Sequence, residues 1–131
     1  MKQSVLIISG WAHGIEAIRS MGDALSDRFE VRLMTGSQVL EEQRIPDADY
    51  IVTGSMGGVL AMEHLPACCQ KLVLISSTAK FCASEAYACG TPEKILKRMI
   101  LMLKRNPEAV LAEFYKNVHT PLPHTCASVR E

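Results

Sequence analysis

Short apolar runs alternate with stretches of helical period through the first half of the chain, the pattern of a parallel sheet covered by helices. Ser4-Val5-Leu6-Ile7-Ile8 is apolar after its first residue, as a strand buried on both faces requires. Gly10-Trp11-Ala12-His13-Gly14 breaks that run and opens a helix from about Ile15 to Asp27. Within it, Ile15, Ile18, Met21, Ala24 and Leu25 fall on one stripe. A second strand, Glu30 to Met34, ends at Thr35-Gly36-Ser37, where Ser37 can cap a short helix through about Gln43 before Pro46-Asp47 closes it. The third strand, Tyr50 to Thr53, runs straight into Gly54-Ser55-Met56-Gly57-Gly58. A helix over roughly Met56 to His64 follows and Pro66 stops it. Lys71 to Ile75 is the fourth strand, and right-handed crossovers order the four as second, first, third, fourth.

Beyond Ser76 the alternation ends. Thr91-Pro92-Glu93 is a helix start, with Thr91 as cap and Pro92 at the first helical position. Ile95, Met99, Ile100, Met102 and Leu103 form that helix's apolar side. Asn106-Pro107-Glu108 repeats the signal, and Val110, Leu111, Phe114, Tyr115 and Val118 make the next stripe. The expected organisation is an α/β core over 1–80, a helical segment over 81–120 and an aperiodic, loose tail over 121–131.

Composition adds boundaries rather than direction. The chain has 131 residues, one domain's worth, and 48% of them are hydrophobic, enough for a packed core. Its formal net charge is zero, so no bulk field draws it to nucleic acid or to an anionic membrane. The apolar run Val5 to Ile8 is far too short for a signal-peptide core or a membrane span. Cys68, Cys69, Cys82, Cys89 and Cys126 lack the short paired spacing of zinc ligands, so no metal and no cofactor are expected. Reduced thiols in a cytoplasmic protein are the default reading.

One segment carries chemistry. A serine on a sharp strand-to-helix turn projects its hydroxyl clear of its neighbours, provided the flanking residues are small. Thr53-Gly54-Ser55-Met56-Gly57 has that context; Gly57 matches the G-x-S-x-G pattern and Thr53 replaces its first glycine. Stabilising the developing negative charge needs two backbone N–H groups aimed at one point. Met56, the residue after the serine, supplies one, and Trp11, in the loop after the first strand, supplies the other. Both loops leave the carboxyl ends of adjacent central strands, where open α/β sheets build their sites.

On these residues the chain resembles the α/β-hydrolase superfamily, and most closely the pimeloyl-acyl-carrier-protein methyl ester esterases of biotin synthesis. Their His-Gly-Trp-Gly loop corresponds to Ser9-Gly10-Trp11-Ala12, and their strand with a Ser-Ser turn to Leu72-Val73-Leu74-Ile75-Ser76-Ser77. Their helical lid begins after that turn, and its aromatic segment aligns with Ala112-Glu113-Phe114-Tyr115. The resemblance implies a three-layer α/β-hydrolase core with a helical lid, and a serine carboxylester hydrolase with Ser55 as nucleophile. Trp11 and Met56 would be oxyanion donors, and Trp11, Phe114 and Tyr115 substrate contacts. The linker between the second and third strands is shorter than the family's. The chain also ends before the later strands that carry the catalytic Asp or Glu and His, so the expectation is a truncated fold.

Simpler readings stand beside these. Ser55 can be an ordinary helix cap, and Gly54 to Gly58 can cradle a phosphate, although no G-K-[ST] or G-x-G-x-x-G accompanies it. His13 is placed to help cap the first helix, His64 lies at the far end of the elbow helix, and His119 and His124 follow the lid. Asp47 and Asp49 precede the elbow strand, at its opposite end from Ser55. Lys94, Lys97, Arg98, Lys104 and Arg105 share one helix face. That is a solvated surface, or, as the resemblance implies, a grip on an acidic acyl carrier protein. The competing function is a non-catalytic fragment that binds an acyl group or a second chain. An unpaired apolar strand 71–75 would favour a homodimer.

Overall fold

In the computed structural model, four parallel strands form one sheet in the order β2-β1-β3-β4, the order expected from right-handed crossovers. They are β1 (Ser4–Ile8), β2 (Glu30–Met34), β3 (Tyr50–Gly54) and β4 (Lys71–Ile75). The helices are α1 (Glu16–Leu25), α2 (Gly36–Glu42), α3 (Met56–Glu63), α4 (Glu93–Arg105) and α5 (Pro107–His119). The structure describes residues 1–119; His124, Cys126 and the tail 121–131 lie outside the described residues. The chain divides into two compact units, Met1–Ala79 and Lys80–Glu131.

The first unit is built outward from β1. Ile7 pairs with Leu33 on one side and Val52 on the other, so β1 is hydrogen-bonded along both edges. Side chains alternate across it. Val5 and Ile7 pack with Ile18 of α1, while Leu6 and Ile8 pack with Val39 of α2 and Leu60 and Ala61 of α3. Helices therefore cover both faces, which is why β1 tolerates no polar residue after Ser4. Asp49 ties down the amino end of the sheet: its carboxylate accepts from the Ser4 N–H at 2.7 Å, the Ser4 hydroxyl at 2.9 Å and the Gln70 amide at 3.2 Å. Those bonds, the Ser4 N–H first, hold the Asp49 carboxyl below its ordinary pKa.

The two sheet edges differ. The β2 edge carries exposed Glu30 and Arg32, and the Arg32 guanidinium donates to the Asp47 carbonyl. On the β4 edge, Val73, Leu74 and Ile75 are 46%, 45% and 43% exposed. Among the described residues no further strand joins it.

Three helix starts depart from expectation, each for a local reason. Thr35, not Ser37, caps α2, because Gln38 stands three residues on and closes a reciprocal box: Thr35 Oγ1 accepts from the Gln38 N–H at 3.1 Å and Gln38 Oε1 from the Thr35 N–H at 2.8 Å. Thr91 does not cap α4, which starts after Pro92. Its backbone is committed elsewhere, donating to Phe81 O and accepting from the Ala83 N–H, both at 2.9 Å. Ile15 rather than His13 precedes α1, and no side chain caps that helix. Asn106 does cap α5, accepting from the Ala109 N–H at 3.2 Å.

The second unit contains α4 and α5. No residue of α4 is fully buried, and its apolar side chains include Ile95 and Leu101 at 58% and 60% exposure. Ile95, Arg98, Met99, Met102, Val110 and Phe114 are among the residues lining a largely apolar groove of about 380 Å³. No helix among the described residues is long and apolar enough to cross a membrane.

Candidate functional site

The carboxyl ends of β1, β2 and β3 bring three loops together. Gly57 is the closest meeting point. A Cβ there would stand 2.7 Å from Ser9 O and 2.9 Å from Ile8 O, so only glycine lets α3 start this tightly against β1. On the other side of the turn, a Cβ on Gly10 would lie 3.1 Å from the Ser55 Cβ and 3.2 Å from Gly54 O. The loop holding Trp11 is thus in van der Waals contact with the turn holding Ser55. A Cβ on Gly36, after β2, would meet the Met56 methyl at 2.9 Å and Ser9 O at 3.0 Å.

Ser55 sits between β3 and α3 with φ 48° and ψ −118°. That is outside the regions L-residues prefer, and such a conformation costs on the order of 1–3 kcal/mol. It persists because its surroundings over-determine it. The Ser55 N–H donates to Ile75 O at 2.8 Å, and its carbonyl accepts from the Gly58 N–H at 3.0 Å and the Ser77 hydroxyl at 2.8 Å. The side chain is exposed and makes no capping hydrogen bond to α3, although Ser55 occupies the cap position. An ordinary serine cap would hold extended backbone and accept from the first turn. Ser55 does neither.

Thr53, where the elbow pattern has glycine, is 1% exposed and its hydroxyl donates to Val73 O at 3.0 Å. Threonine fits in this buried position because the neighbouring strand satisfies its hydroxyl.

The Trp11 loop is a type II turn. The His13 N–H donates to Gly10 O at 3.3 Å, and Ala12, the third residue, has φ 59°. Two further ties close it: the Ser9 hydroxyl donates to His13 O at 2.6 Å, and His13 Nδ1 lies 2.8 Å from Trp11 O. His13 therefore braces the loop instead of capping α1. Met56 is the first residue of α3, and its N–H has no intrahelical acceptor.

The structure brings Ser55, Met56 and the Trp11 loop together. Phe114 and Tyr115 lie on α5 in the second unit, with ring centroids 5.6 Å apart. Lys94, Lys97, Arg98, Lys104 and Arg105 are all exposed on α4, and Lys97 pairs with Glu93 at 2.8 Å. His64 ends α3, at the opposite end from Ser55. Among the described residues, no hydrogen bond joins the Ser55 side chain to a histidine or a carboxylate. Nor is any group of three or more His, Cys, Asp or Glu side chains placed to hold a metal ion. Cys68, Cys69, Cys82 and Cys89 are free thiols.

What sequence reasoning missed is Ser77, whose hydroxyl reaches the Ser55 carbonyl across 22 positions of sequence. The only available signal was the Ser76-Ser77 pair at the end of a strand. No protein-family model, curated protein sequence or solved structure matches the chain.

Proposed function

We propose that Ser55 is the nucleophile of a carboxylester hydrolase site of α/β-hydrolase type. One observation carries the reading: an exposed serine in a strained strand-to-helix turn, its hydroxyl spent on no structural bond. Attack by Ser55 Oγ on an ester carbonyl gives a tetrahedral oxyanion, which the N–H groups of Met56 and Trp11 would receive. Collapse expels the alcohol and leaves an acyl-serine for water to hydrolyse. The hydroxyl proton passes to solvent, since no described base contacts Ser55. Turnover should therefore be slow, because loss of a triad member costs several orders of magnitude.

The substrate proposed from the resemblance is a medium-chain acyl ester such as pimeloyl-acyl-carrier-protein methyl ester. Phe114 and Tyr115 would contact the acyl chain, and the basic face of α4 would engage the acidic carrier. A second reading is acyl or partner binding without catalysis, and it is favoured because no base among the described residues contacts Ser55. In the same reading β4 pairs with a second copy.

A fluorophosphonate probe separates the two. Slow labelling that disappears in Ser55→Ala supports the nucleophile. Labelling that survives the substitution rejects it, and no labelling of the native chain leaves the binding reading in its place.

A further inference from the structure

The end of β4 holds both polar groups of the Ser55 main chain. The Ser55 N–H donates to Ile75 O, and two residues further on the Ser77 hydroxyl donates to Ser55 O, each at 2.8 Å. Ser77 reaches that carbonyl because Ser76, at φ 53°, turns the chain back at the strand end. The other oxygen within its reach, Ile75 O, is 3.5 Å away and too long to compete. Space is kept for the hydroxyl as well: a Cβ on Gly58 would overlap Ser77 Oγ, so the second glycine of Gly57-Gly58 makes room for the bond.

The Ser55 carbonyl belongs to the same planar unit as the Met56 N–H. In a trans peptide these two groups point in opposite directions and turn together. A donor that fixes the carbonyl therefore fixes the direction of the N–H. The Gly58 N–H also bonds this carbonyl, at 3.0 Å, but it comes from within the first turn of α3 and moves with that turn. Ser77 comes from the loop that leaves β4 and ties the peptide to the end of that strand.

We infer that Ser77 is a positioning residue for the oxyanion site, aiming the Met56 N–H through its bond to the Ser55 carbonyl. This rests on the reading of Ser55 as nucleophile. The class of species stabilised is a tetrahedral adduct at Ser55, from an ester or a phosphonate. Ser77 touches neither the substrate nor the reacting atoms.

The test uses the full chain, with Ser77→Ala, the conservative Ser77→Thr, and two readouts. In the spectrum of protein labelled with ¹⁵N-methionine, the Met56 amide peak, assigned with Met56→Leu, should move in Ser77→Ala by more than the Met34 and Met62 peaks. Ser77→Thr should restore it. Fluorophosphonate labelling should slow about tenfold in Ser77→Ala and recover in Ser77→Thr, a smaller loss than deleting an oxyanion donor gives. A Met56 peak that stays in place, or labelling as fast in Ser77→Ala as in the native chain, overturns the role of Ser77. Equal loss of labelling in both variants overturns it too, assigning the effect to packing. Labelling that persists in Ser55→Ala would instead overturn the nucleophile, whatever the amide peak does.

Discussion

The hydroxyl of Thr53 donates to the carbonyl of Val73 across 3.0 Å, at the position where a nucleophile elbow has its first glycine. The bond lies in the core, where Thr53 is 1% exposed, and it links β3 to the edge strand β4 just before the turn. Thr53→Val keeps the shape and removes the donor, and should cost about 1 kcal/mol. Thr53→Gly restores the elbow pattern but removes the buried methyl and loosens the strand, and should cost about 2 kcal/mol. Urea unfolding of the two variants checks the order. If Thr53→Gly were the more stable, the threonine would be a strained substitute and not a lock.

Ala12 holds φ 59° at the third position of the Trp11 turn, where glycine is the usual residue. The left-handed region costs an L-residue roughly 1–2 kcal/mol, and glycine's extra freedom in the unfolded chain returns about 0.4–1 kcal/mol of any gain. Ala12→Gly should therefore stabilise the chain by about 0.5–1 kcal/mol, read as a rise in Tm. A fall would mean that the alanine methyl makes contacts worth more than the strain.

These positions mark what the sequence discloses and what it hides. All four strands and their order were legible, because buried strands such as Val5 to Ile8 must be continuously apolar and crossovers have one hand. The strand-to-helix turn at Ser55 was legible because a strand pattern runs directly into small residues on both sides of the serine. The bond from Ser77 to Ser55 was not: a hydroxyl meeting a carbonyl 22 residues away has no period and no composition. The cap of α2 was misplaced by two residues, since Thr35 and Ser37 are both good caps and only the partner Gln38 chooses between them. Proximity in sequence points His13 to the start of α1, whereas its ring is occupied within the loop.

Asp49 makes a pH prediction. Its carboxylate accepts three hydrogen bonds, two of them from Ser4, and they lower its pKa in the folded chain. The contribution is complete above the unfolded value of about 3.9 and is lost as pH falls through the lower, folded value. Asp49→Asn should lower Tm at neutral pH and narrow the difference from the native chain below about pH 4. Parallel melting curves at pH 7 and pH 3 measure this. A constant offset between the two chains would show that the carboxylate's charge is irrelevant to the anchor.

The last prediction concerns the edge of the sheet. At the β2 edge, Glu30 and Arg32 put charge beside the unpaired backbone groups, a known protection against edge-to-edge association. β4 has only Lys71, at its first residue, followed by Leu72, Val73, Leu74 and Ile75. Val73 and Leu74 point to opposite faces, and each is nearly half exposed, so the strand is apolar above and below the sheet plane. Two copies paired antiparallel about Val73 would set Leu72 against Leu74 and keep the two Lys71 side chains at opposite ends, avoiding a like-charge contact. Five residues are a short interface, so the expected complex is weak and concentration-dependent. Sedimentation of the native chain over a range of concentrations should show a monomer–dimer equilibrium. Val73→Lys, with a charge at the centre of the strand, should leave a monomer with an unchanged far-UV spectrum. A native chain that stays monomeric throughout would mean that this edge does not pair with a second copy.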